Sequence, residues 1–242
     1  MQRHRFYAPP SQITDARITL DEDEAHHLTR VLRLPVGARA FAFDGCGNEY
    51  DCRITELGKR SAALAILEPL PGQVESPLQL TLAQALLKND KFDWVVQKIT
   101  ELGVTRLVPL VTEHCDIRKA DERAEARLLR WRRIALEAVK QCGRRKLLEI
   151  AEPLSWSAYC AEETSDLKLI LSERGGQKLN TLTTAATSVC VAVASEGGWS
   201  EAELQTAERH GFTPIHLGQR ILRAETAALT GAALLQHRFG DL

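Results

Sequence analysis

The pattern of apolar and polar positions changes character about a third of the way along the chain. Through the first 70 residues the apolar positions come in short bursts between turn formers, which predicts strands and hairpins. Segments 5–8 and 17–20 read as short extended pieces. Segments 38–43 and 49–54 read as a hairpin closed by Asp44-Gly45-Cys46-Gly47-Asn48. One helix interrupts them, over 23–34, with Leu28, Val31 and Leu32 on one face and Pro35 ending it. Segment 68–77, with three prolines and one glycine, predicts a boundary between residues 1–71 and 75–242. Beyond it the pattern alternates. Strand 78–85 is followed by helix 91–102, where Phe92, Val95, Val96, Ile99 and Leu102 recur at helical spacing. Then come strand 104–111, a long helix over 121–142, and buried strands 167–171 and 188–194. A capping box, Ser200 to Glu203, opens a helix that runs to His210; strand 212–217 and an apolar helix over 225–237 close the pattern. Such alternation predicts an α/β fold with a mostly parallel sheet and helices on both faces.

Composition narrows the class. Of 242 residues, 44% are apolar and 26% charged, which suits a folded globular chain with a real core. No apolar run approaches the ~18 residues of a membrane span, and the polar start is unlike a signal peptide. Six scattered cysteines with no C-x-x-C spacing predict a reduced, cytoplasmic protein. His26 and His27 are adjacent and so face different sides of a helix, which predicts no metal site.

The net charge of −1 argues nothing for a polyanion, but its distribution does. Residues 117–148 hold eleven basic and four acidic side chains, and the balance turns negative after them. Either a polyanion binds that side, or the stretch is a solvated arginine-rich helix.

The candidate chemistry sits late in the chain. Segment 217–227 combines a glycine turn, two arginines around an apolar pair, and an acid–hydroxyl step into a helix. Arginines beside buried aliphatics imply an anion or carboxylate nearby. A second glycine loop, Ala194-Ser195-Glu196-Gly197-Gly198, follows the apolar run 189–194. Neither loop fits the dinucleotide or P-loop pattern. Both suit a strand-to-helix turn that brings backbone amides up to a ligand.

Taken in order, these motifs resemble the bacterial 16S ribosomal RNA uracil-N3 methyltransferases, a branch of the SPOUT class. The resemblance runs through 3–9 (R-x-R-F-Y-A-P), 26–34 (H-H-L-T-R-V-L-R-L), 85–104 (A-L-L-K-N-D-K-F-D-W-V-V-Q-K-I-T-E-L-G-V), 130–144, the Glu196-Gly197-Gly198 loop and 217–227. It implies an N-terminal PUA-like β-barrel that grips RNA, then a SPOUT domain with a C-terminal trefoil knot, working as a homodimer on 16S rRNA of the 30S subunit. Members bind S-adenosyl-L-methionine in the knot loops. Here the matching positions are Leu171, Ser172 and Glu173; Ala194, Glu196, Gly197 and Gly198; and Leu217, Gly218, Ile221, Leu222 and Thr226. Gly197 and Gly198 are expected to let the backbone close on the methionine portion, so that Gly197→Val blocks the pocket without unfolding the chain. Two departures stand out: Ala194-Ser195 where the family usually has Gly-Pro, and Gln219 where it often has proline.

The implied reaction transfers a methyl group to N3 of a flipped or unpaired uridine, whose proton must leave before or during attack. Arg223 is the expected stabiliser of the uracil anion, with Arg220 second; alternatively either braces Glu225 or Glu196. Glu196 and Glu225 are the acids expected nearest the site, as proton acceptor or as loop anchors. Thr226 has a second reading as a helix cap. The expected RNA contacts are Arg3, Arg5, Phe6, Arg30, Arg33, Arg118, Arg144 and Arg220, with Lys88 and Lys98 weaker. Two alternatives remain at this stage: a SPOUT enzyme for another RNA (ribose 2′-hydroxyl or tRNA), and a non-catalytic ribosome-assembly factor.

Overall fold

The computed structural model describes residues 3–72, 75–88, 90–115, 124–173, 175–182 and 185–242. It divides into two compact units, one within Met1–Glu75 and Val139–Leu147, the other within Ser76–Ala138 and Leu148–Leu242. The first unit thus takes a segment, 139–147, that lies far beyond the proline-rich stretch in sequence.

The first unit is built on alternation. In Arg5–Tyr7 (β1) only Phe6 is buried, and in Arg17–Leu20 (β2) Ile18 and Leu20 point inward. Glu22–His26 (α1) starts at Asp21, whose carboxylate accepts the Glu24 amide at 2.9 Å. Arg39–Phe43 (β3), Glu49–Leu57 (β4) and Ala62–Pro69 (β5) complete a sheet of order β1-β3-β4-β5-β2. Phe6, Ile18, Leu20, Leu28, Ile54 and Leu64 form its core.

The expected helix over 23–34 departs from a plain α-helix. After His26 the chain widens into a π-helical turn, His27–Val31, closed by the Leu32 amide on the His27 carbonyl. The extra residue per turn rotates Val31 off the core face, so Val31 is 62% exposed while Leu28 is buried. Arg33 follows with φ of 53°, in the left-handed region.

Segment 139–147 joins this unit through buried charge. The Glu49 carboxylate accepts Arg5 Nε at 2.7 Å and Arg145 Nε at 3.1 Å, and Arg5 also donates to the Val139, Lys140 and Arg144 carbonyls. Lys140 Nζ meets Glu24 at 2.7 Å, and Glu75 takes Arg144 Nε at 3.0 Å and the Arg145 amide at 2.8 Å.

The second unit is a parallel sheet. Its elements in chain order are Gln79–Ala85 (β6), Lys91–Glu101 (α2), Arg106–Val111 (β7), Ala124–Cys142 (α3, whose last residues belong to the first unit), Glu149–Ile150 (β8) and Leu154–Ser155 (β9). Trp156–Glu162 (α4), Leu167–Leu171 (β10), Gln177–Lys178 (β11), Ser188–Val193 (β12), Glu201–Arg209 (α5), Thr213–His216 (β13) and Ala224–Phe239 (α6) follow. The strand order is β11-β13-β10-β12-β6-β7-β8, with β9 also pairing β7, and every pairing is parallel.

Side chains of α2, α3 and α6 pack on one face with Leu80, Leu82 and Val191. Those of α4 and α5 pack on the other with Ala83, Val108 and Cys190. With helices covering both faces, ligand access is left to the carboxyl ends of the strands, where an α/β sheet opens a crevice. No helix among the described residues is long and apolar enough to cross a membrane.

Candidate functional site

The loops after β10, β12 and β13 converge on one cleft of about 460 Å³. That lies within the range of roughly 300–1,000 Å³ typical of small-molecule sites. Each loop is held by a bond that its sequence supplies. Trp199 donates its indole N–H to the Leu171 carbonyl at 2.9 Å, and the Ser172 amide donates to Ile215 at 3.0 Å. These tie the end of β10 to the loop after β12 and to strand β13. Ser200 and Glu203 form the predicted capping box at the start of α5. The second Glu203 carboxylate oxygen reaches further and accepts the Glu113 amide at 2.8 Å.

The turn around His114 is the floor of the glycine loop. Ser195 donates its hydroxyl to the His114 carbonyl at 3.1 Å, which anchors the start of the glycine loop. A Cβ on Gly197 would stand 2.5 Å from His114 Cβ. This corrects the expectation for Gly197→Val: the missing side chain makes room for the protein's own turn, and the substitution would displace that turn. Gly198 (φ +72°) and Gly218 (φ +110°) need glycine for their backbone conformation instead.

Of the positions expected to hold a cofactor, Leu171, Ser172, Glu173, Ala194, Glu196, Gly197, Gly198, Leu217, Gly218, Ile221 and Leu222 line this cleft, with Arg220 and Arg223. Ile221 stands 79% exposed there. Thr226 departs from expectation. It does not line the cleft, and it is no cap either, because α6 starts one residue after Arg223 and places Thr226 inside the first turn.

Lys91, which is not among the site residues expected from the sequence, organises the acids. At the first position of α2 its ammonium lies 2.9 Å from Glu196 and 3.6 Å from Glu225. The Glu196 hydrogen bond raises the Lys91 ammonium above its ordinary value. Burial pushes the Glu196 carboxyl up, but hydrogen bonds from Lys91 and from the Lys88 amide outweigh it and hold Glu196 below the ordinary range. Glu225 is not part of the cleft lining. A signal for Lys91 did exist: a lysine at a helix N-terminus opposes the helix dipole, a local conflict that calls for acidic partners. The side chains of Arg220 and Arg223, by contrast, make no hydrogen bond or ion pair among the described residues, so neither braces Glu196 or Glu225.

The expected RNA contacts separate into two groups. Arg3, Arg30, Arg33 and Arg220 are exposed. Three others are corrected by burial. Phe6 is a core residue, Arg5 leaves 7% of its side chain exposed and is spent on Glu49 and three carbonyls, and Arg144 is buried against Glu75. Lys98 pairs with Glu101 at 2.8 Å, whereas Lys88 is exposed. Arg118 lies outside the described residues. The basic stretch is therefore neither simply a solvated face nor simply a free patch. Lys140, Arg144 and Arg145 are buried in ion pairs, and Arg130 pairs with Asp90 at 3.2 Å and with Asp93.

Comparisons with known proteins agree with this architecture. A family model described as an RNA methyltransferase domain matches residues 74–236, and one described as an RNA methyltransferase PUA domain matches residues 20–67. The ribosomal RNA small subunit methyltransferase E of Synechocystis sp. is 35% identical, over 95% of this chain and 76% of that one. Its counterpart in Buchnera aphidicola subsp. Acyrthosiphon pisum is 30% identical, over 92% and 88%. Two solved structures superpose over the full length of both chains. One is the small subunit methyltransferase E of Neisseria gonorrhoeae bound to S-adenosyl methionine (34% identity, TM-score 0.92). The other is a putative methyltransferase of Legionella pneumophila with the same cofactor (32%, 0.94).

Proposed function

The chain belongs to the RNA methyltransferase family, and from that membership we propose that it methylates N3 of a uridine in 16S rRNA, with S-adenosylmethionine as methyl donor. Its domain plan is a PUA-like barrel over 1–71, joined by segment 139–147, and a SPOUT domain over the rest of 75–242, knotted at its C-terminal end. It works in the cytoplasm as a homodimer on the small ribosomal subunit.

The residues fit such a cofactor. Leu217, Ile221 and Leu222 offer an apolar slot, and the glycine loops offer backbone amides and carbonyls. When bound, the cofactor supplies a methyl group on a positively charged sulfur. The chain's own residues do the rest.

The observation that carries the reading is the division of charge in the cleft. Glu196 and Glu225 are both committed to Lys91, while Arg223 and Arg220 face the mouth without an ion-pair partner among the described residues. An arginine so placed stabilises negative charge on the uracil ring as the N3 proton leaves. Glu196, held below the ordinary carboxylate range and already hydrogen-bonded, is a poor proton acceptor. Glu225 stands off the lining. Both acids are anchors, and the proton passes to water at the exposed mouth. Arg3, Arg30, Arg33 and Arg220 are the exposed arginines assigned to RNA.

Calorimetry with S-adenosylhomocysteine tests the cofactor assignment. Saturable binding at one site per chain is expected. An absence of binding would leave only a non-catalytic assembly role.

A further inference from the structure

We propose that Lys91 is a positioning residue: it fixes the Glu196–Gly198 loop to the start of α6 and so sets the spacing of two walls of the cofactor cleft. The inference rests on the cofactor reading of that cleft.

Three separate elements meet at the Lys91 ammonium. It is carried by the first residue of α2, and it touches Glu196 on the loop after β12 and Glu225 in the first turn of α6. No other ion pair among the described residues links that loop to α6. Glu196 follows the anchored Ser195 directly and precedes Gly197 and Gly198, so its carboxylate is the handle by which the loop's outer half is held. On the other side Glu225 follows Ala224, and Ala224 and Arg223 line the cleft. One Glu225 oxygen, Oε2, is buried with no hydrogen bond, and the Lys91 charge at 3.6 Å is its compensation. The side chains of Lys91 and Glu196 are each about one-third exposed, so the bridge contributes little to global stability. Its effect is local. Without it the loop and the helix start lose their common post, and two carboxylates in or beside the cleft lose their counter-charge.

A positioning role makes a specific kinetic signature. Full-length Lys91→Ala, Lys91→Met and Lys91→Arg proteins are assayed for methyl transfer to small-subunit particles with the cofactor concentration varied. The Ala and Met variants are expected to raise KM for S-adenosylmethionine about tenfold with kcat within about twofold, and Arg to return KM to within about threefold of the parent. Glu196→Gln should raise KM as well, and adding Lys91→Ala to it should change little further, because the two residues act as one unit. An unchanged KM in both the Ala and the Met variant, or full additivity with Glu196→Gln, overturns the proposal and leaves the cofactor reading intact. Failure of the parent protein itself to bind S-adenosylmethionine overturns that underlying reading and the proposal with it.

Discussion

Arg223 sits two residues from Glu225 in sequence, yet the glutamate turns to Lys91 and the arginine is left to the cleft mouth. An arginine committed to bracing would matter to stability; one lining the cleft mouth matters to chemistry. Arg223→Ala is therefore expected to lower kcat by about 10²- to 10³-fold, with little change in KM for the cofactor or in melting temperature. Arg223→Lys should recover part of the rate, since it keeps the charge but loses the planar fork. A stopped assay with varied cofactor separates the two parameters. Gly197 makes the opposite kind of prediction. With His114 Cβ only 2.5 Å from the position of an added methyl, Gly197→Ala should destabilise the protein by about 1–3 kcal/mol, measured by denaturant unfolding. The sequence displayed both residues but not their neighbours. A glycine before a helix looks the same whether it makes room for a ligand or for a histidine. Arg5 and Arg144 likewise read as exposed charge, because nothing local announces that Glu49 and Glu75 will meet them.

The elements most legible in the sequence are those whose period repeats often enough. Helix α2 shows its buried face through Phe92, Val95, Val96 and Ile99, and β12 carries a continuous apolar run from Val189 to Val193. Two-residue strands such as β8 and β9 have no period to read, and α4 is only two turns long despite the Ser155 cap on the Ala158 amide. The π-helical turn at 27–31 keeps an ordinary helical composition, so only the fold exposes it.

The capping box at α5 was legible, and the structure adds the second task of Glu203. Ser200→Ala should cost about 1 kcal/mol. Glu203→Ala should cost more, because it also frees the Glu113 amide beneath the glycine loop. Urea unfolding of the two variants checks the order.

At the end of α4, burial pushes the Glu163 carboxyl up, but the Tyr159 hydroxyl at 2.6 Å, the Ser165 hydroxyl and the Thr164 and Ser165 amides pull it below its ordinary value of 4.5. A carboxyl more acidic in the folded state stabilises fully above its unfolded value and loses that contribution as pH falls through its folded one. Glu163→Gln should thus destabilise at neutral pH, and its deficit should shrink in acid. Melting curves from pH 7 to pH 3 display the convergence.

Across the whole molecule, a net charge of −1 conceals where the charges act. Basic residues crowd 117–148, but Lys140, Arg144 and Arg145 hold the first unit together and do not face solvent. Glu49→Gln leaves Arg5 and Arg145 buried without their carboxylate and should cost about 3–5 kcal/mol in thermal or denaturant unfolding. The α/β class was legible from the strand–helix alternation. The inclusion of 139–147 in the first unit was not, since no local pattern records a contact 96 residues away.

The central claim is the chemistry itself, and nucleoside mass spectrometry reads it directly. Small-subunit particles from cells lacking this gene are incubated with the purified protein and methyl-labelled S-adenosylmethionine, and their 16S rRNA is digested to nucleosides. The account predicts labelled 3-methyluridine, at about one per particle with the parent protein and sharply reduced with Arg223→Ala. Label in a 2′-O-methyl nucleoside, label in tRNA at the same rate, or no label at all would contradict it.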